Sequence, residues 1–231
     1  FSRLHFVFAG GMALKRQVAE RFQTVTRTPV LEGYGLTETS PCVAVNPYRT
    51  DHYIGTIGLP LPSTDVAILD DQGRALAIGE SGELAVKGPQ VMSGYWNNPD
   101  ETKMVFTDDG WLLTGDIAVM DEKGFIRILE RKKDMVLVSG FNVYPCEVED
   151  VVMELAGIRE CAVIGVPDEQ TGEAVKAFVV REDLSLTTDA IREHCRQHLT
   201  SYKVPKRIEF CADLPKSHVG KILRRALKAL S

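Results

Sequence analysis

The sequence predicts a mixed fold: an α/β layer first, short strands and turns from about residue 46, and a small α+β domain at the end. Three observations carry this expectation. Residues 4 to 9 read as a strand ending in Gly10-Gly11, followed by Leu14, Val18 and Phe22 at i, i+4 and i+8. Strand, glycines and helix in that order open an α/β layer, where ligands sit beyond the carboxyl ends of strands. Between Val66 and Leu129, short runs of β-formers alternate with Asp- and Gly-containing turns. After Pro145, strands and helices are mixed in a span sufficient for one small domain.

In order along the chain, a short strand at Val30 to Glu32 leads into Gly33-Tyr34-Gly35-Leu36-Thr37-Glu38. Two glycines around an aromatic let the backbone come close to a ligand while the ring offers a stacking face. The adjacent hydroxyl of Thr37 and carboxylate of Glu38 suit a hard cation. Gly10-Gly11 alone fits a tight turn as well as a binding loop. Val66 to Leu69 and Glu83 to Val86 read as strands joined through Asp70-Asp71-Gln72-Gly73, and Ala118 to Asp121 with Phe125 to Leu129 as a second hairpin. Between them lies Trp111-Leu-Leu-Thr-Gly-Asp116. A carboxylate in this place can accept two hydroxyl protons from a vicinal diol. Taken by itself, the same motif reads as an Asx turn.

Residues 130 to 145 link the two halves. The charges from Arg131 to Asp134 belong at a surface or cleft. Met135 to Val138 form a short buried strand bounded by Ser139-Gly140. Pro145 opens a helix whose Val148, Val151, Val152 and Leu155 share a face, with Glu147 and Glu149 near its positive end. The segment is either a surface turn or a hinge that carries ligand contacts. Further on, Cys161 to Val166 and Ala174 to Arg181 are strands, and Thr187 or Thr188 caps a helix with Ile191, Cys195 and Leu199 on one side. A strand at Arg207 to Phe210 precedes Pro215-Lys-Ser-His-Val-Gly-Lys221 and a last helix bearing Leu223, Leu227 and Leu230. Lys221 then falls at that helix's start, where the dipole disfavours a cation. Arg224 and Arg225 read as solvated. His194 and His198 stand at i, i+4, and the helical projection sets His198 on the apolar side. That favours packed, hydrogen-bonded histidines over a metal pair. His218 reads as a packing or solvent-facing residue.

Bulk properties bound the function. The 231 residues, 44% apolar and 26% charged, are those of a globular protein with a real core. A net charge of −5 argues against a general nucleic-acid binder. Between Lys203 and Lys228, however, eight Lys or Arg face only Glu209 and Asp213, which suits either a phosphorylated small molecule or a solvated face. Five scattered cysteines without a Cys-x-x-Cys favour a reducing compartment. No apolar run approaches the roughly 18 residues of a membrane span. The start at Phe1, with no initiator Met, suggests a piece of a longer chain.

Together, Gly10-Gly11, GYGLTE at 33–38, WLLTGD at 111–116, ERKKDMVLVSGFNVYP at 130–145 and PKSHVGK at 215–221 resemble the adenylate-forming enzymes. That superfamily includes acyl-CoA synthetases, nonribosomal-peptide adenylation domains and luciferases. LTETSPCVAVNP and the 130–145 segment are most similar to bacterial long-chain fatty-acid–CoA ligases. The resemblance runs over the whole chain and implies its fold. Residues 1–132 would be the C-terminal part of the large AMP-binding domain, with 1–45 an α/β layer and 46–132 a small β-barrel subdomain. Residues 133–231 would be a mobile α+β domain. Because family members are much longer and hold ATP phosphates on an upstream loop, the resemblance implies a fragment that is inactive in isolation.

The implied reaction joins a fatty acid, ATP and CoA into acyl-CoA, AMP and pyrophosphate through an acyl-adenylate, with Mg²⁺. By position, Gly10, Gly11 and Tyr34 would surround the adenine, Thr37 the phosphate and Glu38 the Mg²⁺. Asp116, helped by Arg131, would take the ribose hydroxyls. Lys133 would be the hinge, Lys221 the catalytic lysine of adenylation, and Ser139, Gly140, Phe141 and Asn142 the CoA path. The family implies a cytoplasmic protein, with peripheral attachment at the inner membrane face and a homodimer left open. An acyl-AMP ligase that loads a carrier protein is the nearest alternative, separated by CoA-dependent thioester formation. A nucleotide-binding or inert module is the other, separated by the sequence upstream of Phe1.

Overall fold

A computed structural model describes residues 3–218 and 220–230; Val219 of the 215–221 motif lies outside the described residues. The chain divides into two units, Phe1–Ile128 and Leu129–Ser231.

In the first unit, β1 (Val7–Ala9) runs parallel to β2 (Val30–Gly35), with α1 (Arg16–Thr26) as the crossover that parallel strands require. Strand β2 pairs antiparallel with β3 (Cys42–Val45), and β3 with β4 (Leu59–Pro60). Helix α1 packs on β2 with Ala19 and Thr26 buried, while Val18 is 57% exposed. Its inward face is thus rotated from the expected Leu14–Val18–Phe22 stripe. Spacing fixes the period of a helix face but not its phase, and the small Ala19 lets the helix approach the strand.

A second sheet has the order β5 (Asp65–Leu69), β6 (Ser81–Lys87), β7 (Leu112–Met120), β8 (Ile126–Arg131). The expected β-barrel is overturned: no sheet among the described residues closes on itself. Closure needs the two outer strands to pair. Among the described residues β5 pairs with β6 and, through Leu69, with Ala75 but not with β8, and Ile126 of β8 instead exchanges backbone hydrogen bonds with Ile57 and Gly58 just before β4. Val43 and Ala44 of the first sheet pack with Ile68, Leu84, Val86, Ala118 and Ile126 of the second to form the core. Helix α2 (Pro99–Val105), unplaced from sequence, is capped by the Asn98 side chain, which accepts from the Glu101 amide, and has proline in its first turn.

The second unit is built on a hairpin of β11 (Ile158–Asp168) and β12 (Gly172–Arg181). β-Branched and small side chains alternate across both faces, as a strand buried on both sides requires. Cys161, Val163, Val175, Ala177 and Val179 enter one core. Ala162, Ile164, Val166, Ala174, Phe178 and Val180 enter the other. α3 (Pro145–Met153) and α4 (Thr188–His198) bury Val148, Val152, Ile191 and Cys195 in the first core, and α5 (Arg224–Lys228) buries Leu227 in the second. Strand β13 (Arg207–Phe210) runs parallel to β12. The expected Pro145 start and Thr187 cap are both found; the Thr187 hydroxyl accepts from the Ala190 amide. β9 (Val136–Val138) and β10 (Phe141–Val143) form a hairpin closed by Ser139-Gly140, both at positive φ, the geometry of a two-residue type I′ turn. No helix among the described residues is long and apolar enough to cross a membrane.

Candidate functional site

In the first unit the GYGLTE motif crosses the end of β2 and enters a 3₁₀ turn at Thr37–Thr39. Gly35 is demanded by the fold as much as by any ligand, because a Cβ there would lie 1.8 Å from the Pro41 carbonyl oxygen. The Leu36 amide donates to that same oxygen at 2.9 Å. The turn is closed by Thr39, whose hydroxyl accepts from the Leu36 amide at 3.0 Å. This leaves Thr37 exposed and Glu38 half-buried, two and three residues beyond the strand's carboxyl end. Gly10, just after β1, is tucked against β2: a Cβ would lie 3.2 Å from the Gly33 carbonyl oxygen. Gly11 follows at φ 83°.

Two side-chain pairs organise this region. The Tyr34 hydroxyl donates to Oδ2 of Asp116, which is only 3% exposed. Asp116 lies inside β7, not in an Asx turn. At that point β6 and β7 slip register between Glu83 and Ala85, and the bulge re-aims the side chain. The Asp116 amide donates to the Thr114 hydroxyl at 3.2 Å, and the Gly115 amide to the Glu83 carboxylate at 3.0 Å. In the second pair, the Tyr95 hydroxyl donates to Glu38 at 2.8 Å. That hydrogen bond to a carboxylate raises the Tyr95 phenol above its ordinary range, with burial adding to it. The backbone binds the same two segments together, Met92 N–H donating to the Glu38 carbonyl at 2.8 Å. Tyr95 carries no motif in the sequence; only the fold shows that it holds Glu38.

The expected residues Gly10, Gly11, Tyr34, Thr37, Glu38 and Asp116 therefore share one unit, with Tyr34 and Asp116 in direct contact. Half-buried, with one tyrosine partner, Glu38 is a single hard oxygen ligand of the kind magnesium takes alongside substrate phosphates, so the residues present fit that ion.

In the second unit Arg131 is half-buried, its amide donating to the Glu130 carboxylate at 3.0 Å. Lys133 is exposed in a 3₁₀ turn, Lys132–Asp134. Ser139 and Gly140 form the β9–β10 turn, anchored where the Ser139 amide donates to the Thr171 carbonyl at 2.8 Å. Phe141 stacks on Tyr202, ring centroids 4.8 Å apart and 21° from parallel, with Asn142 exposed beside it.

Lys221 differs from expectation. It is not in a helix: Lys216 and Ile222 bridge the base of a hairpin loop, and α5 begins only at Arg224. Hydrogen bonds across the loop, Ser217 amide to Lys221 carbonyl at 2.8 Å and Lys221 amide to Ser217 hydroxyl at 3.2 Å, win over an earlier helix start. Lys221 is exposed and precedes α5, so it is not the expected helix-start cation. Leu223 is 42% and Leu230 73% exposed, leaving Leu227 as α5's buried anchor.

Arg224, read as solvated, is not. Its guanidinium spans two carboxylates, Glu130 at 2.9 Å and Glu149 at 2.7 Å. Burial raises the Glu130 carboxyl above its usual range despite this neighbour. Burial also pushes the Cys146 thiol up to about 12, with Glu130 adding to it, so Cys146 stays protonated and donates to the Leu129 carbonyl.

Residues 1–96 match the AMP-binding enzyme family and residues 147–221 the AMP-binding enzyme C-terminal domain. The chain is 59% identical over 228 residues to a long-chain-fatty-acid–CoA ligase of Salmonella typhimurium and 47% identical to that of Bacillus subtilis. These alignments cover 99% and 98% of the chain and 40% of each relative. The chain thus spans well under half the length of those curated relatives. Among solved structures, ATP-bound MatB from Rhodopseudomonas palustris matches with a TM-score of 0.92 at 37% identity, over 96% of this chain and 44% of that one. The amide bond synthetase McbA from Marinactinospora thermotolerans matches at 0.89 and 34%, over 99% and 48%. Matched by the two family models over 1–96 and 147–221, the chain belongs to the AMP-binding, adenylate-forming superfamily and is closely related to the bacterial long-chain-fatty-acid–CoA ligases.

Proposed function

We propose that this chain serves an AMP-forming long-chain fatty-acid–CoA ligase. A fatty carboxylate attacks the α-phosphate of ATP, pyrophosphate leaves, and the CoA thiol then takes the acyl group from the adenylate and releases AMP. The observation that carries the nucleotide half of this reading is the Tyr34–Asp116 pair, a flat ring locked to a buried carboxylate. A ring face suits adenine and a carboxylate suits the ribose diol. Gly10 and Gly11 are assigned to the adenine side, where they carry no side chain to obstruct a ligand, and Thr37 to the phosphate. The long-chain acid and CoA are supported by the identity to long-chain-fatty-acid–CoA ligases.

Glu38 is assigned to Mg²⁺, which when bound offsets negative charge on the phosphate oxygens. Tyr95 orients Glu38 by its hydrogen bond. No general base is needed, since the attacking carboxylate is already ionised at neutral pH. Arg131 is assigned to the ribose side and Lys221 to the reacting phosphate. Ser139 to Asn142 are assigned to the CoA path, where the Phe141–Tyr202 stack offers an apolar wall to the pantetheine arm.

Asp116→Asn in the whole enzyme tests the nucleotide half. Loss of the charge-assisted pair to the diol costs about 1.5–3 kcal/mol in ATP use. Asn still offers an oxygen to Tyr34, so the fold is kept. Normal ATP use by the folded variant, read by pyrophosphate exchange, would defeat the assignment. Lys133 is assigned as the hinge between 1–132 and 133–231. Lys133→Pro fixes φ there, and is expected to slow thioester formation from supplied acyl-adenylate while sparing pyrophosphate release. Equal loss of both steps would sink the hinge.

A further inference from the structure

The helical pair His194 and His198 differs from expectation in one respect and gains a partner the sequence did not suggest. His194 is packed and hydrogen-bonded as expected, its side chain 18% exposed and its Nε2 3.0 Å from the Val151 carbonyl. His198 is exposed instead of lying beside Ile191. Its Nδ1 is 2.9 Å from the His194 carbonyl. Carbonyls only accept, so each ring donates from that nitrogen and keeps a lone pair on the other. Metal-ligating histidines are commonly held this way, with one ring nitrogen donating to a backbone carbonyl.

The third group comes from another helix. Glu154 is the C-cap of α3, and its Oε2 lies 3.7 Å from His194 Nε2, the nitrogen that donates to Val151, so His194 would offer a metal its other nitrogen, Nδ1, beside that carboxylate. One ligand atom from each of Glu154, His194 and His198 lies within 4.8 Å of the other two. The two rings are 4.3 Å apart, centroid to centroid. Both helices end here, His198 being the last residue of α4, and helix C-termini favour positive charge. Cys195, between the histidines in sequence, is fully buried in the core with Ile191 and stands outside the cluster.

We propose that Glu154, His194 and His198 form a surface site for a divalent transition-metal cation, with zinc the best fit, that ties the end of α3 to the end of α4. Two imidazoles and one carboxylate suit zinc, whereas calcium and magnesium take oxygen ligands. Zinc–ligand bonds of about 2.0–2.2 Å require the three groups to draw together by side-chain rotation. Water completes the tetrahedron. The site lies in the second unit and does not depend on the ligase assignment.

Calorimetric titration of the chain with Zn²⁺ is the test, with thermal melting as a second readout. Wild type is expected to bind one zinc per chain and to melt higher with zinc present. His198→Ala, at an exposed position, is expected to keep the fold and weaken binding at least about 10- to 100-fold, the loss that follows even removal of an outer partner of a metal ligand. It should also abolish the rise in Tm. Substitution by Co²⁺ should show nitrogen and oxygen ligation without thiolate charge transfer. No saturable binding by wild type, unchanged affinity in His198→Ala, or a cobalt–thiolate band would each overturn the proposal.

Discussion

Replacing Lys221 by Ala in the whole enzyme is expected to lower fatty-acid-dependent pyrophosphate release about 10²- to 10³-fold, the usual loss for one preorganised electrostatic group. Conversion of supplied acyl-adenylate and CoA should change far less, because charge on the phosphate is then leaving instead of developing. The side chain is exposed, so the variant should fold and melt as wild type does. What makes Lys221 a better candidate than other surface lysines is the way its loop is held. Lys216, at the loop's base, pairs with Glu160 at 2.6 Å and Asp213 at 3.4 Å. The Leu223 amide, on the other strand, donates to the Pro215 carbonyl at 2.8 Å. A cation with no ion-pair partner among the described residues, on a loop pinned at its base, loses little freedom when it meets an anion. Equal losses in the two half-reactions would show that Lys221 does not serve adenylation in particular. No loss in either would remove it from the chemistry.

What was legible in the sequence was whatever depends on near neighbours. The strands at Cys161 to Val166 and Ala174 to Arg181, Pro145 in the first turn of α3 and a threonine cap at Thr187 or Thr188 are all local, and all are found, the cap at Thr187. Tertiary pairing was not legible. Tyr34 meets Asp116 across 82 residues, and Tyr95 meets Glu38 across 57. A motif can name one member of such a pair, but nothing local names both. The β-barrel failed for the same reason, since closure is a property of the outer strands and not of any one strand's pattern. Lys221 was set in a helix because the apolar spacing continues through Leu223. The Ser217–Lys221 hydrogen bonds, which that spacing does not reveal, start the helix later. Arg224 is the plainest case. Its acidic partners lie 94 and 75 residues earlier, so in the sequence it is one more charge in a basic run.

Removal of Arg224 is expected to cost more stability than any other single change considered. Glu130 and Glu149 have side chains only 5% and 13% exposed, and the Arg224 side chain is 21% exposed. Arg224→Met keeps much of the packing and removes the charge, leaving two buried carboxylates without their cation. Breaking a buried pair from one side costs about 3–5 kcal/mol. Backbone amides also reach these carboxylates, Arg131 and Cys146 to Glu130 at 3.0 and 3.2 Å and Val163 to Glu149 at 2.9 Å, and they hold the geometry but carry no full charge. The pH dependence follows from Glu130. Burial already raises its carboxyl above the ordinary value, and Arg224 is what opposes that rise. Without Arg224 the folded-state value moves higher still. The folded chain then binds more protons than the unfolded chain across the window above the ordinary carboxylate range, so stability falls as pH rises through it. Urea denaturation across pH should therefore show Arg224→Met nearest to wild type under acid conditions and furthest from it near neutrality. Adding Glu130→Gln should recover part of the loss, since one buried charge goes with it. A loss below about 1 kcal/mol, the range of exposed pairs, and flat with pH, would mean that the three charges are solvated and the clamp contributes nothing. The same clamp fixes α5 three residues after Lys221. Arg224→Met in the whole enzyme should therefore also slow pyrophosphate release more than it slows use of supplied adenylate, under conditions where the protein stays folded.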